Sequence, residues 1–173
     1  MLGDDQRVQI VNEHMRLENA HDFEACIAKF GRPRYEVTAN AEVFDGAARV
    51  NDFLSENQRA FPDFGFEPTR VSPTPEAVLV EGRFKGTHQG MWRGVPGTGR
   101  RVDFPMCLIF EFEGDVLVNE RIYFNLGTPL VQLGIAYDPN SVKGKIFTVL
   151  THPVTIGRAM LRMAWLRLTG RGG

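Results

Sequence analysis

The chain has 173 residues, of which 43% are hydrophobic and 24% charged, and its formal net charge is −1. This length predicts one domain with room for an extension, and the near-neutral charge argues against a nucleic-acid-binding protein. No stretch reaches the roughly 18 apolar residues that a membrane-spanning helix needs. The N-terminal residues MLGDDQRVQI lack the pattern of a signal peptide, so the expected location is the cytoplasm.

The first part of the chain is mainly helical in its pattern. Apolar residues at helical spacing predict helices over 5–19, 23–30 and 47–60. Asp22 is a suitable cap for the second helix, and a short strand is expected from Tyr35 to Ala39. These helices could cover one face of a sheet.

The middle of the chain is rich in strand patterns. Strands are predicted over 64–72, 76–87, 99–112 and 115–125, and the last two are joined by a tight turn at Glu113-Gly-Asp115. Helices followed by a run of antiparallel strands indicate an α+β fold. A short helix over 126–134 would close this domain.

The C-terminal part differs in charge from the rest. Residues 139–173 contain six basic residues and no acid, whereas the first 138 residues contain 14 basic and all 21 acidic residues. A strand-like piece over 145–150 and a helix over 154–168 are predicted here. The second of these is apolar over most of its surface, and we expect it to pack on its own domain or on a partner subunit. Peripheral attachment to an anionic membrane is the less favoured alternative.

The segment GTHQGMWRGVPGTGRRV, residues 86–102, is rich in glycine and links two long strands. It is either a broad irregular connection or the rim of a pocket, with Met91 and Trp92 as a hydrophobic flap and His88 beside them. It lacks the Lys-Ser/Thr ending of a phosphate-binding loop. No histidine or cysteine shows a metal-ligand spacing, so neither a metal nor another cofactor is expected.

A polar row follows from the alternation of the last two strands. Glu111, Arg121, Tyr123 and Asn125 fall on one face together with Ile109. The row is either an exposed face with cross-strand ion pairs or the floor of a pocket. In a pocket, Glu111 could act as a general base while Tyr123 and Asn125 donate hydrogen bonds to an enolate oxygen.

Four segments resemble the SnoaL-like polyketide cyclase family of the nuclear transport factor 2-like (NTF2-like) superfamily. They are DGAARVNDFLSENQRAFPDF (45–64), GTHQGMWRGVPGTGRRV (86–102), IFEFEGDVLVNERIYFN (109–125) and LGTPLVQLG (126–134). The resemblance implies a cystatin/NTF2-like α+β cone, in which a strongly bent antiparallel sheet wraps around N-terminal helices and a hydrophobic cavity. It also implies a homodimer formed through the outer face of the sheet.

The family's cyclases use an acid at the end of the last strand, and Asn125 occupies that position here. We therefore expect Glu111 or His88 to supply the proton chemistry, with Tyr123 and Asn125 assisting and Trp92, Met91, Arg121 and Ile109 contacting the substrate. The expected domains are residues 1–135 and a basic extension over 136–173.

The expected function is binding of a hydrophobic small molecule, with cofactor-independent cyclase or isomerase chemistry on a polyketide-like carbonyl compound. The alternative is a non-catalytic ligand-binding or dimeric interaction module, because an asparagine cannot transfer a proton near neutral pH.

Overall fold

Six strands form one curved sheet in the computed structural model, which describes residues 2–170. The strand order is β2-β1-β6-β5-β4-β3, and all neighbours pair antiparallel except β1 and β6, which are parallel. The strands are β1 (Arg34–Val37), β2 (Glu42–Asp45), β3 (Gly65–Pro73), β4 (Ala77–Thr87), β5 (Arg101–Glu113) and β6 (Val116–Phe124). The expected α+β fold is confirmed, and β2 is a strand that the sequence pattern did not predict.

Four helices belong to the same unit as the sheet, and the chain divides into two compact units after Leu133. They are α1 (Asp4–Asn19), α2 (Phe23–Ile27), α3 (Ala47–Ala60) and α4 (Gly127–Gln132). Asp22 caps α2 by accepting a hydrogen bond from the Ala25 N–H at 3.2 Å. The helices predicted for this unit are confirmed, although α2 ends three residues early.

The core lies between α1, α3 and one face of the sheet. Alternation along β5 buries Val102, Phe104, Leu108, Phe110 and Phe112, while the residues between them are more exposed. The β5–β6 hairpin turns at Gly114, whose φ of +62° suits glycine. A bulge between Glu111 and Phe112 shifts the register of this hairpin.

The second unit consists of two consecutive helices, α5 (Val142–Thr151) and α6 (Pro153–Leu168). The strand predicted over 145–150 is wrong, because that segment lies within α5. Ser141 caps α5 by accepting a hydrogen bond from the Gly144 N–H at 2.9 Å. The Thr148 hydroxyl donates back to the Gly144 carbonyl at 2.9 Å, so its polar group is satisfied within the helix. None of the helices described in residues 2–170 is long and apolar enough to cross a membrane.

Candidate active site

An apolar cavity of about 80 Å³ lies within the first unit. Helix α3 contributes Phe53, Leu54 and Asn57, which share one helix face because they are spaced by one and three residues, and Phe61 follows as the residue that ends the helix. Strands β3 to β6 supply most of the remaining wall, through Phe66, Phe84, Phe104, Met106, Leu108, Ile122 and Phe124. A ligand in this cavity would be surrounded mainly by aromatic rings.

Two carboxylates, Glu18 and Glu120, also line the cavity. Glu120 is on β6, directly opposite Phe110 of β5 and two residues from Ile122, so the bend and pleat of the sheet point it inward. Its exposed fraction is only 1%. A charged residue is almost never this deeply buried without partners, so the groups around Glu120 define the chemistry of the site.

His14 of α1 is the central partner of both acids. Its Nε2 atom lies 3.1 Å from Glu120 Oε2 and 3.4 Å from Glu18 Oε2. The Tyr35 hydroxyl, from β1, lies 3.1 Å from the same nitrogen and donates to Glu18 Oε2 at 3.2 Å. These four side chains form a cluster, here called the buried acid–imidazole cluster, which joins two helix positions to two adjacent strands.

Both ring nitrogens of His14 face hydrogen-bond acceptors. Nδ1 lies 3.3 Å from the Cys26 carbonyl oxygen, and Nε2 faces the carboxylates. Because a carbonyl oxygen can only accept, this geometry fits an imidazolium that donates on both sides. Burial by itself disfavours that charge, but the hydrogen bonds with Cys26, Glu120 and Glu18 outweigh it and hold the pKa of His14 well above 6.5.

Burial raises the pKa of the acid and of the phenol, whereas burial by itself lowers the pKa of His14. The pKa of the Glu120 carboxyl is raised above 4.5, first by burial and then by the negative charge of Glu18, while the hydrogen bond from His14 counteracts the rise. Burial likewise raises the pKa of Tyr35 well above 10. The cluster therefore holds a carboxylate that is more basic than usual beside a neutral phenol.

Cys26 completes the surroundings of His14. Its Sγ atom lies 3.4 Å from Nδ1 and 3.8 Å from Nε2 of the imidazole. One ligand atom each from His14, Glu18 and Cys26 lies within 4.8 Å of the others, so these are the residues that could hold a metal ion. The same atoms are also engaged with one another in the hydrogen bonds described above.

The glycine-rich connection between β4 and β5 contributes to the wall of the cavity. Trp92 is 8% exposed and lines the cavity, as does the more exposed Arg93, which marks the opening. The Arg93 guanidinium binds both carboxylate oxygens of Glu42, at 3.0 and 2.6 Å. Trp92 thus lies in the wall of the cavity, whereas Met91 is 60% exposed and is not part of the lining.

His88 is buried but lies outside the lining of the cavity. Its Nδ1 accepts a hydrogen bond from the Thr98 N–H at 3.3 Å, and its ring stacks on Phe61 at a centroid distance of 5.1 Å. Burial lowers the pKa of His88. His88 is therefore a neutral residue that holds two parts of the glycine-rich connection together. It lies away from any ligand in the cavity.

The predicted pocket floor of Glu111, Arg121, Tyr123 and Ile109 is wrong in its placement, because these residues lie on the outer face of the sheet. Arg121 binds Glu36 at 2.8 Å and Glu111 at 2.8 Å, and Tyr123 is 41% exposed. The ion pair between Glu111 and Arg121 fits the other alternative given for this row, which was an exposed face with cross-strand ion pairs. None of the four residues contributes to the cavity.

Asn125 is also exposed, at the end of β6. Its Oδ1 atom accepts a hydrogen bond from the Gly127 N–H at 2.9 Å, and its carbonyl oxygen accepts one from Thr128 at 3.0 Å. Asn125 thus stabilises the first turn of α4. Asn125 was predicted to face the cavity, but it is not part of the cavity lining.

Sequence reasoning missed Glu120, His14, Glu18 and Tyr35. Glu120 carried a usable signal, because it is an acid within the otherwise apolar row Val118, Ile122 and Phe124. The other three residues come from α1 and β1, and only the tertiary structure brings them to β6.

The model of the SnoaL-like polyketide cyclase family matches residues 8–133. The chain belongs to this family. The matched range contains the whole cavity and the buried acid–imidazole cluster, while α5 and α6 lie outside it. None of the curated proteins compared with the chain is significantly similar in sequence.

Solved structures of SnoaL-like and related proteins share the fold. AclR of Streptomyces galilaeus is 22% identical, with a TM-score of 0.66 over 76% of this chain and 98% of AclR. A candidate polyketide cyclase from Xanthomonas campestris pv. campestris is 16% identical, with a TM-score of 0.69 over 75% of this chain and 98% of its own. TsrD of Streptomyces laurentii is 18% identical, with a TM-score of 0.67 over 78% and 99%. At these identities the likeness establishes the fold.

Proposed function

We propose that this SnoaL-like protein binds an apolar carbonyl compound of the polyketide type and catalyses a proton transfer on it, as in a cyclisation or isomerisation. The observation that carries the proposal is the Glu120 carboxylate at the wall of an aromatic cavity, held by the His14 imidazole 3.1 Å away. Glu120 takes the place of Glu111 as the general base.

The reaction begins with removal of a proton from the carbon beside the ligand's carbonyl group. The Glu120 carboxylate accepts this proton, and the electron pair moves into the carbonyl group to give an enolate. The raised pKa of Glu120 favours this transfer, because burial removes the water that would otherwise stabilise the carboxylate. In a cyclisation, the enolate carbon attacks a second carbonyl group, and the alkoxide that forms takes the proton back from Glu120. In an isomerisation, Glu120 returns the proton to a different carbon of the conjugated enolate.

Polar groups in the lining are available for the enolate oxygen. Asn57 of α3 and the indole of Trp92 both contribute to the cavity wall, and each carries an N–H donor. Their donors suit an oxygen that becomes negatively charged during the reaction. The aromatic wall excludes water, which strengthens such hydrogen bonds.

The size of the cavity limits the ligand. A volume of about 80 Å³ is below the roughly 300 Å³ of common ligand sites. A polyketide-sized ligand therefore requires side chains of the wall to move, and the half-exposed rim around Arg93 and Phe53 is where we expect this opening.

A small aromatic C–H acid tests the base without knowledge of the natural substrate. In the Kemp elimination of 5-nitrobenzisoxazole, a carboxylate removes the ring proton while the N–O bond breaks, and a coloured phenolate forms. We expect the protein to accelerate this reaction and Glu120→Gln to reduce the rate by roughly 10²- to 10⁴-fold. Glu111→Gln, which changes an acid on the outer face, is the matched control and should keep the rate.

A retained rate in Glu120→Gln would contradict the assignment of the base. Because this variant changes a buried cluster, its folding should be verified by circular dichroism, and Glu18→Gln provides a second probe of the same cavity. If the wild-type protein binds the probe but gives no acceleration, the non-catalytic ligand-binding function takes the place of the enzyme.

A further inference from the structure

The second unit exposes an unusual amount of apolar surface. Eleven large hydrophobic side chains of α5 and α6 are exposed, among them Val142 at 73%, Leu150 at 72%, Leu161 at 73% and Leu168 at 88%. An exposed apolar area of this extent marks an interaction site rather than an ordinary protein surface.

Helix α6 is apolar over most of its circumference. At about 100° per residue, Thr155, Arg158 and Arg162 fall on one narrow stripe, and Arg167 lies apart from them. The residues on the remaining surface include Met160, Leu161 and Met163, which are all more than half exposed. A helix that lies in the interface of a lipid layer buries its apolar side among the upper acyl chains and keeps its basic stripe at the headgroups.

Helix α5 has two distinct faces. Gly144 is its buried residue and approaches the Asp138 carbonyl oxygen, and Thr148 and Thr151 lie on the same side of the helix. The opposite side carries Val142, Ile146, Val149 and Leu150, which are all at least half exposed. Lys143 and Lys145 stand on either side of this apolar strip, where a long side chain can reach lipid headgroups.

The charge of the two helices selects the kind of partner. Residues 139–173 hold six basic residues and no acid. Pairing of this surface with the same surface of a second copy would bring like charges together, with no acid to offset them. An anionic lipid surface attracts each of these basic residues.

We propose that α5 and α6 attach the protein to the surface of an anionic membrane. The helices lie in the plane of the interface, with the apolar side chains among the upper acyl chains and the arginines and lysines at the phosphate groups. Both helices, of 10 and 16 residues, are shorter than a membrane span requires. The attachment is independent of the chemistry proposed for the cavity.

Co-sedimentation of the full chain with lipid vesicles tests this proposal. One set of vesicles consists of phosphatidylcholine, and in the other about a third of the lipid is phosphatidylserine. We expect binding to the second set only, and release when the salt concentration rises from about 50 to about 500 mM.

Two triple variants separate the charge of the helices from the charge of the whole chain. Lys145→Gln, Arg158→Gln and Arg162→Gln together should weaken binding to the anionic vesicles about tenfold or more. The matched control removes the same number of charges from exposed positions of the first unit, through Arg49→Gln, Arg59→Gln and Arg100→Gln, and should retain most of the binding. Leu161→Ser with Leu150→Ser tests the apolar contribution and should also weaken binding.

Equal binding to both vesicle types, or equal loss in the two triple variants, would overturn the proposal. So would the absence of any vesicle binding. If the chain then forms a dimer that Leu161→Ser with Leu150→Ser dissociates, a second copy covers the helices instead. The Kemp elimination rate of the wild-type protein is measured without vesicles. It therefore tests the proposal for the cavity independently of the result for membrane attachment.

Discussion

His14 is the residue on which the chemistry of the site depends. It lies between the Cys26 carbonyl oxygen and two carboxylates, so its charged form is stabilised in the folded protein. The same imidazolium limits how strongly Glu120 and Glu18 repel each other. The buried cluster is therefore a set of mutually dependent charges, and removal of one member leaves another charge uncompensated.

The stability of the protein should depend on pH through this cluster. The pKa values of His14 and Glu120 are both raised by folding, above 6.5 and 4.5 respectively. The folded state therefore binds more protons than the unfolded chain, and the free energy of unfolding falls as the pH rises. The His14 contribution is fully present below pH 6.5 and is lost as the pH passes through its raised pKa.

Chemical denaturation at a series of pH values above 6.5 measures this effect. We expect the fall in stability to disappear in His14→Gln, which is also less stable overall because the two acids lose their partner. His152→Gln, a change at an exposed histidine, is the control. In this variant the free energy of unfolding should fall with rising pH as steeply as in the wild-type protein. An unchanged slope in His14→Gln would show that His14 does not carry a raised pKa.

Asn125 should stabilise the turn that leads into α4, because its side chain accepts a hydrogen bond from the N–H two residues further on. Asn125→Ala removes this hydrogen bond from the Gly127 N–H and should cost about 1 kcal/mol of stability. Asn125→Asp keeps an acceptor at this position and should retain the stability. It should not increase the rate of proton transfer, because the side chain is exposed and lies outside the cavity. A gain in rate for Asn125→Asp, measured with 5-nitrobenzisoxazole, would contradict this placement.

The polar row on β5 and β6 shows how far the sequence determines the site. Alternation correctly separated Glu111, Arg121 and Tyr123 from Glu120, but it does not state which face lines a cavity. A polar row is typical of a solvated face, where ion pairs such as Arg121–Glu111 form. An acid within an apolar row is the more informative pattern, because its burial requires partners.

At the scale of elements, the glycine-rich connection after β4 is fixed to the end of α3. The N–H groups of Gln89 and Gly90 both donate to the Ala60 carbonyl oxygen, at 2.8 and 3.1 Å. The same connection carries Trp92 to the cavity wall. Its conformation therefore couples the last turn of α3 to the shape of the cavity.

Gly90→Ala should disturb this connection. An added Cβ atom would overlap the Arg59 carbonyl oxygen, which is backbone and cannot rotate away. We expect a loss of about 1–3 kcal/mol in the free energy of unfolding and weaker binding of aromatic probes. Gly157→Ala is the control, since no atom lies within 4 Å of the added group, and a helical alanine should stabilise slightly. Equal stability of the two variants would show that the connection adapts.

The elements themselves were largely predictable. The bounds of α3 and of the four long strands follow from apolar periodicity and turn residues, because each of these elements buries one continuous face. The bounds of α6 follow from its apolar spacing and from Pro153 at its first turn. Helix α5 was not predictable in this way, since Ile146, Phe147 and Val149 favour a strand. Capping by Ser141, which accepts a hydrogen bond from the Gly144 N–H, favours the helical state. Strand β2 is too short for a periodic signal.

At the scale of the whole molecule, the net charge differs between the two ends of the chain, because residues 139–173 carry six basic residues and no acid, whereas the first 138 residues carry 14 basic and 21 acidic residues. The solved structures that share the fold cover 71–78% of this chain and 94–99% of their own chains. The family match over residues 8–133 contains the cavity and its acids, and the basic helices lie outside it. The proton transfer proposed for the cavity and the membrane attachment proposed for the helices should then be separable by mutation.

A chain that ends at Ile135 should retain the fold and the chemistry of the first unit. The family match ends at residue 133, and every residue that lines the cavity precedes it. We expect this truncated chain to unfold in one cooperative transition, as small single domains do, and to keep the Kemp elimination rate of the full chain. Circular dichroism melting and the rate with 5-nitrobenzisoxazole provide the two measurements. A truncated chain with Glu120→Gln supplies the inactive control, and loss of cooperative melting on truncation would show that α5 and α6 are required for the stability of the cavity.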